Sequence, residues 1–241
     1  MTRITFLAHS GFLVELPQAA LLFDWWKGEL PSLPTDRPLT VFASHRHPDH
    51  FDPRIFSLDD GARDVAFLLS KDIRLSPRRL EKWGVPEETA KKIRPVDFGE
   101  AFSLPARGIG VETLRSTDEG VAFLVTAGEK TVYHAGDLNW WHWDGEDEGW
   151  NRNMEVNFKR YLEPLRGRKL DLAFAPLDPR LGRESGWGFR WLLETAEVER
   201  VFPMHQWEDS RPTARFCAEF PTLAPKIVPV DHLGQSWEFP D

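Results

Sequence analysis

The sequence predicts one domain of mixed α and β structure, with β-sheets inside and helices outside. Apolar, β-prone segments alternate with helical patterns along the 241 residues, and 41% hydrophobic with 12% aromatic residues supply enough material for a core. No composition shift or flexible Gly/Ser linker divides the chain. We therefore expect a single α/β (α+β) domain over residues 1–241.

The first third of the chain has the pattern of short strands. Apolar segments at 4–8, 12–16 and 20–26 are separated by Ser-Gly and Pro-Gln turn signals, which is typical of a meander. A Pro-rich connector at 30–38 then leads into the apolar strand TVFAS at 40–44.

Strands and helices alternate in the remainder of the chain. The charged segment 71–93 is compatible with a helical crossover that is interrupted by prolines and a glycine. Helical spacing predicts helices over 153–165 and 189–198. Apolar runs predict strands at 65–70, 96–100, 108–116, 121–127, 130–137, 170–177 and 201–204.

Charge and cysteine content restrict the class of protein. The formal net charge is −8, and Lys and Arg are scattered, so nucleic-acid binding is not favoured. The N-terminus lacks a signal-peptide pattern, and no apolar run is long enough for a membrane span. Cys217 is the only cysteine, which excludes an internal disulfide and thiolate clusters. We expect a soluble cytoplasmic protein, whose oligomeric state the sequence does not predict.

The motif at 45–50, His-Arg-His-Pro-Asp-His, is the main chemical signal. It holds three imidazoles and a carboxylate directly after a predicted buried strand. Imidazole and carboxylate are common ligands of zinc-like ions. His45 and His47 point to the same side of an extended chain, whereas Asp49 and His50 follow a proline bend. The segment can therefore bind one ion or two neighbouring ions.

Two later residues also follow apolar strands. Asp137 ends YHAGD, where Gly136 permits a sharp turn and the carboxylate could bridge two cations. His205 follows the strand VFPM. Each would more often be a structural residue if it stood alone, but the motif at 45–50 favours a shared metal site.

With these residues the sequence resembles the metallo-β-lactamase superfamily along nearly its whole length. The segments AHSGFLVE, FD, YHAGD and FPMH are most similar to the branch that includes the ascorbate-phosphate lactonase and related metal-dependent hydrolases. The resemblance implies a four-layer αββα sandwich with the site at the edge of two facing sheets. It also implies that His45 and His47 belong to a first metal position, that Asp49, His50 and His205 belong to a second, and that Asp137 bridges them.

The chain departs from this family at one expected ligand. Arg115 stands where the family has a further histidine, and a guanidinium cannot ligate a metal. Three interpretations follow, in order of preference. Only the second position is filled and Arg115 is a catalytic electrophile; or another residue supplies the ligand; or the fold survives as a non-catalytic binding protein with a degenerate first site. The candidates for the replacement ligand are His9, His134, His142 and Asp118.

Further residues are predicted to support the site or to contact substrate. Asp24 resembles the family's aspartate that orients a ligating imidazole, although a turn role is equally compatible. The Trp-rich loop at 138–148, with Trp140 and His142, is predicted to line a pocket. Asp178 and Arg180 follow another strand, where the resemblance implies a further active-site loop, and are candidates for substrate contact, although a surface turn with a salt bridge is equally compatible.

These features predict a hydrolase that uses zinc, with manganese or iron as alternatives, and one or two ions. The position around Asp49, His50, Asp137 and His205 is favoured. The resemblance also implies that Asp49 orients the attacking water and takes up its proton, and we expect Arg115 to hold the substrate. The expected substrate is a small, anionic ester, lactone or phosphoester.

Overall fold

The structure is a computed structural model that describes residues 1–33 and 35–240. Pro34, within the connector at 30–38, lies outside the described residues. In chain order the described strands are β1 (Thr2–Ala8), β2 (Gly11–Glu15), β3 (Ala20–Phe23), β4 (Leu39–Ala43), β5 (Val65–Ser70), β6 (Ile93–Val96), β7 (Ala101–Leu104), β8 (Ile109–Arg115), β9 (Val121–Ala127), β10 (Lys130–His134), β11 (Lys169–Pro176), β12 (Glu197–Met204) and β13 (Ser236–Phe239). The α-helices are α1 (Pro77–Lys82), α2 (Glu87–Ala90), α3 (Glu148–Leu162), α4 (Gly186–Thr195) and α5 (Arg211–Glu219).

The strands form two sheets. The first has the order β13-β1-β2-β3-β4-β5-β6, and the second has the order β12-β11-β10-β9-β8-β7. Strands β3 to β6 run parallel to one another, as do β10, β11 and β12. Because parallel strands end at the same edge, the loops after β4, β10, β11 and β12 can meet there.

The two sheets pack face to face around an aromatic core. Phe23 and Phe42 of the first sheet stack with ring centroids 4.6 Å apart, and Phe42 meets Phe123 of the second sheet at 5.0 Å. Burial of large aromatic side chains is the main stabilising contribution in such an interface. The core therefore fixes the relative position of the two sheet edges.

Helical segments cover the outer faces of both sheets. The 3-10 helix Pro53–Leu58 places Phe56 against Phe67 of the first sheet. On the second sheet, Phe158 of α3 and Phe189 of α4 are buried in the same cluster as its strands. This is the predicted αββα sandwich, and the fold prediction is confirmed. Among the described residues, no helix is long and apolar enough to cross a membrane.

Some boundaries differ from the sequence prediction. The strand predicted at 96–100 is wrong, because Val96 ends β6 and the chain then turns through Gly99, whose φ is +76°. The helix predicted to end at 198 ends at Thr195, since Val198 pairs with Leu170 in the second sheet. Helix α5 and strand β13 were not predicted. Strand β13 is short and is stabilised by pairing with β1, far away in sequence.

Candidate metal centre

The motif at 45–50 lies at the carboxyl end of β4, next to the parallel strands β3 and β5. The amides of His50 and Phe51 both donate hydrogen bonds to the carbonyl oxygen of His47, at 3.0 and 2.9 Å. These bonds close a single helical turn at the strand end. The turn brings Asp49 and His50 back towards the centre, next to His45.

Two groups of four candidate ligands lie side by side at this edge. Within each group, one ligand atom from every residue lies within 4.8 Å of the others. We call the first group position 1, and it consists of His45, His47, Asp118 and Asp137. We call the second group position 2, and it consists of His9, Asp49, His50 and His205.

Asp137 lies between the two positions. Its Oδ2 is 3.5 Å from Nε2 of His45, in position 1. Its Oδ1 is 3.3 Å from Nε2 of His50 and 3.4 Å from Nε2 of His205, in position 2. Each oxygen therefore faces a different position, which is the arrangement that a bridging carboxylate requires.

The donor set fits a divalent cation. Among the described residues, four buried atoms of this centre have no hydrogen-bond partner: Nε2 of His9, His50 and His205, and Oδ1 of Asp137. A buried polar atom without a partner costs about 1–3 kcal/mol, so four that converge on one region would be strongly destabilising. Coordination of metal ions would use these same lone pairs.

Hydrogen bonds from the outer ring nitrogens fix the imidazoles. His50 donates from Nδ1 to Oδ2 of Asp24 at 2.7 Å, and His205 donates from Nδ1 to Oδ2 of Asp178 at 2.8 Å. Ser44 donates its amide and its hydroxyl to Asp24 at 2.7 and 2.6 Å. With Nδ1 protonated, Nε2 of His50 and of His205 keeps its lone pair directed at the centre.

Burial sets the charge of these groups. It lowers the pKa of His45 and His50 well below the usual value, and neighbouring imidazoles lower both further. Burial also raises the pKa of Asp137 well above its usual value, and the carboxylates of Asp118 and Asp49 add to this effect. His45 and His50 are therefore neutral at pH 7, which is the form that binds metals.

Two glycines allow the loops to approach β4 closely. A Cβ atom on Gly120 would lie 2.0 Å from the carbonyl oxygen of Ser44, and one on Gly136 would lie 2.6 Å from the Cβ of Ser44. Both glycines have positive φ, at +67° and +51°. They bring the segments that carry Asp118 and Asp137 against the end of β4.

Three non-glycine residues of the centre also have left-handed backbone. Their φ values are +54° at His9, +43° at Asp24 and +62° at His205. Such conformations cost roughly 1–3 kcal/mol each and are concentrated at functional sites. The tertiary structure holds them in place: the amide of His205, for example, donates to the carbonyl oxygen of His9 at 3.1 Å.

The prediction that Arg115 lies in the site is wrong. Its guanidinium lies 5.1 Å from the ring centroids of both Phe98 and Tyr161, on the side of the second sheet that α3 covers. Strand β8 ends at Arg115, and the loop that follows carries Asp118 to position 1 instead. Asp118 was one of the alternatives that the sequence left open.

Three other predicted site residues do not face the centre. His134 donates from Nε2 to the carbonyl oxygen of Ser10 at 2.8 Å and accepts at Nδ1 from the amide of Gly136 at 3.2 Å, so both of its nitrogens are engaged within the fold. His142 packs on Trp187, with centroids 4.9 Å apart. Trp140 packs beneath Lys159, whose nitrogen is 4.4 Å from the ring centroid.

A cavity of about 270 Å³ opens onto both positions. Its walls include Trp141 and Trp143, which belong to the predicted Trp-rich loop, and also Trp150 and Met154. The last two belong to α3 and were not predicted, because the helical pattern of α3 gives no sign of which face meets the cavity. A larger cavity of about 560 Å³ adjoins His9 but includes none of the other candidate ligands.

Arg180 lines the same cavity and is fixed by Asp178. Its Nε and Nη2 donate to the Asp178 carboxylate at distances of 2.6 to 3.0 Å, and its guanidinium lies 4.7 Å from the ring centroid of Trp207. Burial raises the pKa of Asp178, but the hydrogen bonds from His205 and Arg180 outweigh it and lower that pKa to about 2. Both predicted residues therefore reach the site: Asp178 through His205, and Arg180 directly at the cavity wall.

Comparison with known proteins places these features in a family. Residues 3–142 match the family model of the beta-lactamase superfamily domain. A UPF0173 metal-dependent hydrolase of Pyrobaculum aerophilum is 30% identical over 148 residues, which cover 56% of this chain and 61% of that protein. The relative of the same description from Pyrobaculum neutrophilum is 28% identical over 84% of this chain and 83% of its own length.

Solved structures show the same fold. Igni18, a metallo hydrolase from Ignicoccus hospitalis, superimposes with a TM-score of 0.62 at 18% identity, and the match covers 99% of each chain.

Proposed function

Because this chain belongs to the metallo-β-lactamase superfamily, we propose that it is a metal-dependent hydrolase of a small, anionic ester, lactone or phosphoester. One observation carries the proposal: two four-donor groups share an edge, and Asp137 presents one carboxylate oxygen to each. Its relatives are named metal-dependent hydrolases, which supports the proposed activity.

The metal would be held by the three histidines and the aspartate of the motif at 45–50, and by Asp137 and His205. When bound there, a zinc-like ion supplies Lewis acidity and lowers the pKa of a water molecule from about 15.7 to about 7. Zinc is the first candidate because imidazoles dominate position 2, with manganese and iron as alternatives.

Asp49 is the proposed proton acceptor for the attacking water. Its Oδ2 is 3.3 Å from Nε2 of His9, and its carboxylate also borders the cavity. Burial raises the pKa of Asp49, but His9 and His50 outweigh that effect and hold it below its usual range. Asp49 is therefore ionised at neutral pH and can orient a water by accepting its proton.

Arg180 and the tryptophans define the proposed substrate class. Among the described residues that line this cavity, Arg180 is the one with a permanent positive charge, and its bonds to Asp178 leave Nη1 for an anionic group. Trp141 and Trp143 lie parallel, 6.0 Å apart, and provide apolar walls for the uncharged part of the substrate. These features support a small anionic molecule over a macromolecule.

The proposal is tested with a panel of lactones, phosphodiesters, thioesters and β-lactams. Wild type is compared with Asp49→Asn, and Asp60→Asn, an exposed acid outside the site, is the matched control. We expect turnover of at least one class to fall by about 10²-fold or more in Asp49→Asn alone, as for loss of a general base. Equal turnover by both variants would remove Asp49 from the mechanism.

A competing proposal is a non-catalytic binding protein with a degenerate first site. It rested on the absence of a histidine at 115, but Asp118 completes the four-donor group there. Metal-loaded protein that turns over no member of the panel, and still binds one tightly, would favour this alternative.

A further inference from the structure

We propose that Asp118 is a metal ligand of position 1, and that its carboxylate gives the two positions different metal preferences. Position 1 would admit a harder ion such as Mn²⁺, while position 2 would retain Zn²⁺. The inference rests on the proposed metal centre but not on any substrate or reaction.

The geometry places Asp118 among the ligands of position 1. Its Oδ2 lies 3.8 Å from Nδ1 of His47, which is itself 3.0 Å from Nε2 of His45. In a neutral imidazole only one nitrogen has a lone pair, and Nδ1 of His45 already contacts the hydroxyl of Ser44 at 3.0 Å. Because the Ser44 hydroxyl donates to Asp24, it accepts from Nδ1 of His45, so Nε2 of His45 keeps its lone pair towards the space that Asp118 and Asp137 border.

The loop that carries Asp118 is well fixed. Thr117 donates its hydroxyl to the carbonyl oxygen of Asn139 at 2.6 Å and accepts from the amide of Asn139 at 3.0 Å. The amide of Asp118 donates to the hydroxyl of Ser116 at 3.2 Å. Together with the close approach of Gly120 to Ser44, these bonds fix the backbone from which the Asp118 carboxylate reaches position 1.

The local charges also favour a cation next to Asp118. The carboxylates of Asp49, Asp118 and Asp137 border one small cavity, and Asp118 and Asp137 belong to the same four-donor group. Carboxylates this close together cannot all be ionised without a nearby positive charge, and a divalent ion between them would supply it.

The two positions differ in donor chemistry. With Asp137 counted for both positions, position 1 has two imidazoles and two carboxylates, whereas position 2 has three imidazoles and two carboxylates, so carboxylates make up a larger share of the donors at position 1. Imidazole suits zinc and iron, and carboxylate suits manganese, although zinc binds more tightly than manganese to nearly every such site. The preference for zinc should therefore be weaker at position 1, so that Mn²⁺ replaces zinc there first.

The test measures metal binding to metal-free protein without any substrate. Wild type, Asp118→Asn and Asp118→His are loaded with Zn²⁺ and Mn²⁺, separately and in competition, and bound metal is counted by elemental analysis. We expect two ions in wild type and a loss of at least about tenfold in affinity for one of them in Asp118→Asn. In Asp118→His we expect two ions again, but with Mn²⁺ excluded from position 1 in competition. The electron paramagnetic resonance signal of Mn²⁺ provides an independent readout of this exclusion.

Arg115→His is the matched control, because residue 115 ends β8 but faces α3. It should leave both the number of ions and the competition unchanged. The inference would be overturned if Asp118→Asn bound two ions with wild-type affinity. It would also be overturned if wild type bound a single ion and Asp118→Asn bound it equally well. Either result would leave the proposed function intact. No metal bound by wild type would defeat the proposed function itself.

Discussion

Replacing Gly120 by alanine should show how strongly the site depends on one close backbone approach. Gly120 has φ +67°, and a Cβ atom there would lie 2.0 Å from the Ser44 carbonyl oxygen and 2.7 Å from the Cβ of His45. The left-handed conformation costs alanine about 1–2 kcal/mol. Relief of the clash by movement of the loop adds about 1–3 kcal/mol, as in overpacked cores. We therefore expect Gly120→Ala to lower the free energy of unfolding by about 2–5 kcal/mol.

Gly108→Ala separates the two contributions. Gly108 has nearly the same φ, +64°, but a Cβ atom there would have no neighbour within 4 Å. It should therefore cost only the conformational term of about 1–2 kcal/mol. Urea-induced unfolding of the metal-free proteins gives both values, and the difference between them measures the clash at Ser44.

Metal binding gives a second readout of Gly120→Ala. Movement of the loop withdraws Asp118 from position 1, whereas no residue of position 2 lies on that loop. We expect weaker binding of one ion and unchanged binding of the other. Equal destabilisation by the two alanine variants, with both ions retained, would refute the reasoning that this glycine exists to bring the loop against β4.

The other predictions concern single side chains. Asp24→Asn should weaken metal binding by about 10- to 100-fold in a chelator competition, because the amide no longer fixes the His50 ring as the carboxylate does; unchanged affinity would contradict that role. Tyr133→Phe should raise the free energy of unfolding by about 1 kcal/mol, since the buried hydroxyl has no partner among the described residues; a clear loss of stability would count against it. Arg168 holds the pKa of Glu112 below its usual value. At pH values above the ordinary glutamate pKa, this exposed pair therefore stabilises the fold by up to about 1 kcal/mol. The contribution disappears as the pH falls through the pKa of Glu112 in the folded state. Glu112→Gln should therefore differ from wild type at pH 7 but not in strong acid, and a pH-independent difference would exclude the ion pair as its cause.

Much of the fold follows from local sequence. The apolar segments predict strands β1 to β5 and β8 to β12 to within a few residues, because side chains buried on both faces leave a continuous hydrophobic run. The short strand β13 has no such run, since its stability comes from pairing with β1. Periodicity detects burial, but it does not detect a distant partner strand.

The chemistry of the centre can be predicted from local sequence. The motif at 45–50, Asp137 and His205 are all ligand-type residues at strand ends, and the structure brings every one of them to a single edge. The carboxyl ends of parallel strands lie at the same edge of a sheet. Residues that directly follow such strands in the sequence are therefore close together in the structure.

The completion of position 1, in contrast, depends on tertiary packing. The family pattern predicts Arg115 at this position, but the side chain at the end of β8 faces α3. The loop after β8 instead brings Asp118 next to His47, which precedes it by 71 residues in the sequence. Tertiary packing likewise brings His9, from the turn between β1 and β2, into position 2. Which side of a strand end faces the centre depends on how the two sheets pack, and that packing is fixed by contacts between residues far apart in sequence.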